Sequence, residues 1–147
     1  METADKIRTG EYPVRKIYPN AATLQVGPDK PYKTPAAALA DAKPGDVIEI
    51  DAGDYHNANA LLLLECDDIT LRGVGGRANM IVSPDYRVMW GQGIWVIYGN
   101  GVQIENIGFI GARTDDSASG VRVNAYGCIF KIKRFNGCSD TAILVRQ

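Results

Sequence analysis

The chain has 147 residues, 46% of them apolar and 22% charged, with a formal net charge of −1. That length fits one domain with a real core, since folding at this size buries roughly 68–70% of the unfolded chain's surface. The near-neutral balance offers no basic surface for phosphates, so neither nucleic acid nor a membrane is expected as a partner.

Residues 1–22 are polar, show no hydrophobic period and read as an N-terminal arm ahead of a domain at 23–147. The opening METADKIRTG has no apolar h-region, so the expected location is cytoplasmic. The longest apolar run, ALLLL at 60–64, is too short to span a bilayer. Cys66, Cys128 and Cys138 form no C-x-x-C pair, which points to reduced, buried thiols rather than a disulfide framework.

TLQV at 23–26 is the first strand candidate, followed by the Gly/Pro-rich loop GPDKPYK. Thr34-Pro35 then opens PAAALADA. Threonine is a good N-cap, proline suits the first helical position and alanine favours helix. Pro44 ends the segment by disfavouring helix before it, which gives one short capping helix at about 35–42.

Short strands fill the rest. The candidates are VIEI at 47–50, LLLL at 61–64, ITLR at 69–72, MIV at 80–82, IWVIY at 94–98 and VQIE at 102–105. IGFI at 107–110, VRV at 121–123, FKIK at 130–133 and ILV at 143–145 follow. They fall into three interleaved series. One comprises IEI, ITL, VQI and FKI, starting at 48, 69, 102 and 130. A second comprises LLL, IWV, VRV and ILV, and a weaker third joins MIV, IGF and a poor match near Phe135. Similar strands recur only after two dissimilar ones. A meander of hairpins does not produce this order, whereas three faces of a parallel coil do.

PGDVIEIDAGDY, DITLRGVGG and NGVQIENIGFIGA resemble the opening turns of the right-handed parallel β-helix repeat family, the pectate-lyase-like architecture. PAAALADA resembles the helix that closes the N-terminal end of such a coil. The resemblance implies an all-β, single-stranded right-handed parallel β-helix of about four turns, and it is unspecific for activity. Family enzymes usually have more turns. The last segment, GCIFKIKRFNGCSDTAILVRQ, follows the repeat only loosely and no polar cap comes after it. An open coil end exposes core and strand edges, so a homo-oligomer covering the C-terminal end is expected.

KPGDVIEIDAGDYH at 43–56 holds four carboxylates and the only histidine, His56. Alternation along the strand points Ile48 and Ile50 inward and Glu49 and Asp51 outward. Asp46 and Asp54 fall at turns. With the acids facing different ways, no metal and no cofactor is expected. Stacking the series gives two outward columns, Glu49–Thr70–Gln103–Lys131 and Asp51–Arg72–Glu105–Lys133. The second alternates in sign and reads as a charge ladder.

Family lyases carry acidic calcium ligands and a basic residue on an outward sheet, so Arg72 and Lys131 are weak candidates for a base. Asp115 and Asp116, in the loop ARTDDSASG, superficially resemble the paired aspartates of polygalacturonases. The Asn-Thr-Asp and Gly-His-Gly motifs of those enzymes are absent. On the third face, inward Ile94 and Val96 would leave Trp95, Ile97, Arg122 and Leu144 outside as an apolar interface or ligand groove.

The leading expectation is a non-catalytic module that acts by self-association or by binding a saccharide or protein. The alternatives are a carbohydrate-active enzyme, either polysaccharide lyase or glycosidase, and a truncated fragment of a longer β-helix enzyme or phage fibre.

Overall fold

The computed structural model describes residues 16–83, 86–88, 93–111, 119–131, 134–136 and 143–145. The side chains of 119, 134–136 and 143–145 are outside the described set. Among the described residues the chain runs through strands β1 (Thr23–Val26), β2 (Val47–His56), β3 (Leu62–Leu64), β4 (Thr70–Ile81), β5 (Gly93–Ile97) and β6 (Gln103–Glu105). Strands β7 (Ile107–Ile110), β8 (Ser119–Val123), β9 (Ile129–Lys131), β10 (Arg134–Asn136) and β11 (Ile143–Val145) complete it, with one helix, α1 (Pro35–Asp41), between β1 and β2. None of the described helices is long and apolar enough to cross a membrane.

Every strand pairing is parallel and joins strands one turn apart. The first face stacks β1, the first half of β2, the first half of β4, β6 and β9. The second stacks the later halves of β2 and β4, then β7 and β10. The third stacks β3, β5, β8 and β11. The three series read from the sequence are these three faces, in a parallel coil of about four turns. β2 and β4 are longer than predicted because each runs around a corner. Their register breaks between Asp51 and Gly53, and Gly53 sits at φ +135°.

The core is the inside of the coil. Leu24, Ile48, Ile50, Ile69, Leu71, Val102 and Ile104 enter it from the first face. Tyr55, Met80 and Phe109 come from the second, and Leu62, Leu64, Trp95, Ile97, Val121 and Val123 from the third. α1 closes one end as expected. Thr34 caps it, its Oγ1 accepting the Ala37 N–H at 3.1 Å, and Pro35 and Ala38 are its buried residues.

The turn into the first face is held by a stack of unusual backbone. Gly45, Asp68, Gly101 and Gly127 occupy equivalent rungs and all have positive φ, at 93°, 57°, 68° and 67°. Their amides link the turns: Gly45 donates to the Asp68 carbonyl at 3.2 Å, Asp68 to Asn100 at 2.8 Å and Gly101 to Tyr126 at 2.9 Å. Side chains add a second ladder, since Asn100 N–H donates to Asp67 Oδ1 and Tyr126 N–H to Asn100 Oδ1, at 2.8 and 2.9 Å.

The third face requires a correction. Trp95 and Ile97 do not face outward; both are 0% exposed and belong to the core. Register aligns Trp95 with Leu62 and Val121, and Ile97 with Leu64 and Val123. The outward positions are Leu63, Val96 and Arg122, and the backbone of Leu144 is in register with Arg122. A one-residue slip reverses every side chain of a strand. β5 is buried on both sides, so it carries no polar alternation to fix its phase. Trp95 stacks edge-on against Phe109 across the coil, with centroids 5.1 Å apart, and its Nε1 donates to the Ala60 carbonyl at 2.8 Å. Arg122 is 8% exposed and Val96 0%, so the expected open apolar patch is covered there.

Candidate functional site

The first face carries the ordered polar surface. Leu24, Ile48, Leu71, Ile104 and Phe130 align as one column pointing inward. The neighbouring outward column is Gln25–Glu49–Arg72–Glu105–Lys131, one residue per rung at about 4.8 Å spacing. The alternating ladder expected from the sequence is present, with different members at its ends. Glu49 stands where Asp51 was expected, and Lys131 where Lys133 was expected. Asp51 instead aligns with Val74, while Lys133 is outside the described residues.

Glu105 sits between two cations. Its Oε2 lies 4.0 Å from Arg72 Nε and its Oε1 3.8 Å from Lys131 Nζ. The carboxylate side chain is 28% exposed, against 41% for Arg72 and 70% for Lys131. Arg72 Nε is itself sealed from solvent and makes no hydrogen bond, although the side chain as a whole is partly exposed. Thr70 and Gln103 form the flanking outward column with Val47 and Ile129.

Two of the four weak catalytic candidates, Arg72 and Lys131, are therefore brought into one column. Asp115 and Asp116 lie outside the described residues. Asp46 lies at the turn into β2, as expected, whereas Asp54 is not a turn residue but a strand residue of β2, in register with Asn79. Buried Asp46 accepts the Ala22 N–H at 2.8 Å and the Lys43 N–H at 2.9 Å. Asp54 Oδ1 accepts Asn79 Nδ2 at 3.0 Å, and Asn79 Oδ1 accepts Arg77 Nε at 3.0 Å. His56 is exposed at the end of β2. Among the described residues no group of three or more His, Cys, Asp or Glu could hold a metal ion.

Two features escaped the sequence reading. The Arg77–Asn79–Asp54 chain crosses rungs, and only the strand register reveals it. A groove of about 480 Å³ also lies between α1 and the third face, lined by Ala36, Leu39, Ala40, Leu61, Leu63 and Cys66. Burial pushes the Cys66 thiol up from its ordinary 9.0, with Asp67 adding to the effect. Burial likewise raises Cys128. Neither is an activated thiolate.

No protein-family model and no curated protein matches the chain. Among solved structures it is similar to the pectin methylesterase from Aspergillus niger in deglycosylated form. The identity is 18%, the TM-score 0.54, and the match covers 89% of this chain and 56% of that one. The penultimately deglycosylated form of the same enzyme gives 17% identity and a TM-score of 0.53, over 90% and 57%. The chain thus spans little more than half the length of these structures. At such identity the likeness shows the fold alone: the chain is a right-handed parallel β-helix of the pectate-lyase-like kind.

Proposed function

We propose that the protein is a non-catalytic saccharide-binding module whose binding face is the outward column Gln25–Glu49–Arg72–Glu105–Lys131 with neighbouring Gln103. The observation that carries this reading is the doubly flanked Glu105, which ties three successive rungs into one preset polar row. Sugar hydroxyls both donate and accept. A row that alternates carboxylate and cation offers each hydroxyl a partner of either kind, and preset side chains lose little freedom on binding. The strands hold the row at fixed spacing, whereas loop side chains would have to be ordered first.

Affinity electrophoresis through gels containing hydroxyethyl cellulose, galactomannan or polygalacturonate tests this reading. The expected result is retardation by at least one polymer, weakened at least tenfold by Arg72→Ala, with no turnover of the polymer. Unretarded migration in all three gels sinks the proposal.

A second reading, a carbohydrate-active enzyme, draws on the likeness to pectin methylesterases. Methanol released from methyl-esterified pectin, or new reducing ends, would favour it. Self-association remains part of the proposal. Ile129, 49% exposed, lies on β9, which pairs only with β6 among the described residues. Such an apolar strand edge suits a second copy. A strictly monomeric mass in sedimentation at about 100 μM, where a dimer constant of about 10 μM or tighter would give mostly dimer, removes that part.

A further inference from the structure

We infer that Glu105 is the specificity-determining residue of this face and sets it for uncharged polysaccharide over polyuronate. The inference rests on reading the face as a saccharide-binding surface. Each Glu105 oxygen addresses a different cation, Arg72 on the rung before and Lys131 on the rung after. Arg72 and Lys131 are two rungs apart, roughly 10 Å, which is about one Debye length at ordinary ionic strength. Without the carboxylate between them they would act together as a dication on a flat sheet, a surface suited to a polymer bearing a carboxylate on every sugar.

Glu105 removes that property, and its placement is effective. It is less exposed than either cation, so it compensates both while the more exposed Arg72 and Lys131 side chains stay open to a ligand. With Glu49 on the rung before Arg72, the four charged residues from Glu49 to Lys131 sum to zero. A polyuronate laid along the column meets Glu49 and Glu105 as like charges. An uncharged glycan meets only partners: its hydroxyl oxygens accept from Arg72 and Lys131, and its hydroxyl protons go to Glu49 and Glu105. Like-charge contact is a strong means of rejecting a wrong ligand.

The test compares wild type, Glu105→Gln and the double variant E105Q/K131Q in gels of hydroxyethyl cellulose and of polygalacturonate. Circular dichroism confirms that all three are folded. Wild type should be retarded by hydroxyethyl cellulose and not by polygalacturonate. Glu105→Gln should bind polygalacturonate at least tenfold more tightly than wild type at low salt. That gain should disappear at about 0.5 M salt, where screening is short-ranged, and should shrink in the double variant. Retention of wild type by polygalacturonate, or no gain in Glu105→Gln, overturns the inference even if hydroxyethyl cellulose still binds and the saccharide-binding reading stands. Conversely, a wild type that binds neither of these polymers nor galactomannan while Glu105→Gln gains polygalacturonate supports the charge role of Glu105 and overturns the saccharide-binding reading.

Discussion

Asp46→Ala should destabilise the fold by about 3–4 kcal/mol, although Asp46 is not a member of the polar column. The carboxylate is 5% exposed, and each oxygen accepts one backbone N–H, from Ala22 and from Lys43. A hydrogen bond to a charged group contributes about 1.5–3 kcal/mol, so two bonds give about 3–6. Both sites are only partly buried, and water can reach the freed amides, which puts the expectation at the lower end. Asp46→Asn keeps one acceptor but turns a second donor onto an N–H, so about 1.5–3 kcal/mol is expected. Urea unfolding followed by circular dichroism reads both values. For a chain of this size each kcal/mol shifts Tm by roughly 2–4 °C, so the alanine variant should melt roughly 6–16 °C lower. If both variants lie within about 0.5 kcal/mol of wild type, the carboxylate does not hold the corner and the reasoning fails.

Three further outcomes are expected. Trp95→Phe should cost about 2–3 kcal/mol, because it removes the indole N–H that satisfies the buried Ala60 carbonyl and leaves a small void; equal stability in urea would place the indole elsewhere. Gly99→Ala should destabilise by about 2 kcal/mol or more or prevent folding, since a Cβ there would lie 1.9 Å from the Cys66 carbonyl oxygen and backbone must move; soluble yield and melting temperature check it. Burial raises the Cys128 thiol above 9.0 and the Tyr55 phenol above 10.0, so the fold prefers their neutral forms. Their contribution is complete below the unfolded values and is lost as pH rises through the raised folded ones, so the urea midpoint should fall as pH is raised above 9.0, the ordinary thiol value; a flat profile there contradicts the assigned burial.

Much of the coil was legible because its first face repeats apolar–polar–apolar units that alternate cleanly. Ile48, Ile50, Ile69, Leu71, Val102 and Ile104 identified themselves as core, and Glu49, Arg72 and Glu105 as surface. Register was less legible. Side-chain direction has a period of two, so a slip of two residues keeps every residue on its correct side and changes only its partners. That slip is what exchanged Asp51 for Glu49 beside Arg72. The third face failed for a different reason. Gly93–Ile97 is covered on both sides, so inward and outward residues look alike in composition, and Trp95 was turned the wrong way. The Asp67–Asn100 ladder left only a weak signal, a polar residue directly ahead of Asp68 and of Gly101.

The degeneracy of that slip indicates what selects the register. In the pairing expected from sequence, Asp51, Arg72, Glu105 and Lys133 alternate in sign. In the pairing observed, Glu49, Arg72, Glu105 and Lys131 alternate equally well. Both ladders are surface pairs worth about 0–1 kcal/mol per contact, so charge cannot decide between them. The corner can. Gly45, Asp68, Gly101 and Gly127 adopt positive φ together. A slip of two would put residues outside that set, with φ below zero, at the turn. It would also break the Gly45–Asp68 and Gly101–Tyr126 amide bonds that link the slipped turns. Those backbone hydrogen bonds at about 0.5–1.5 kcal/mol each, plus the cost of strained φ, outweigh a ladder that both registers satisfy. The turns therefore fix the rungs, and the polar column takes its order of charges from them.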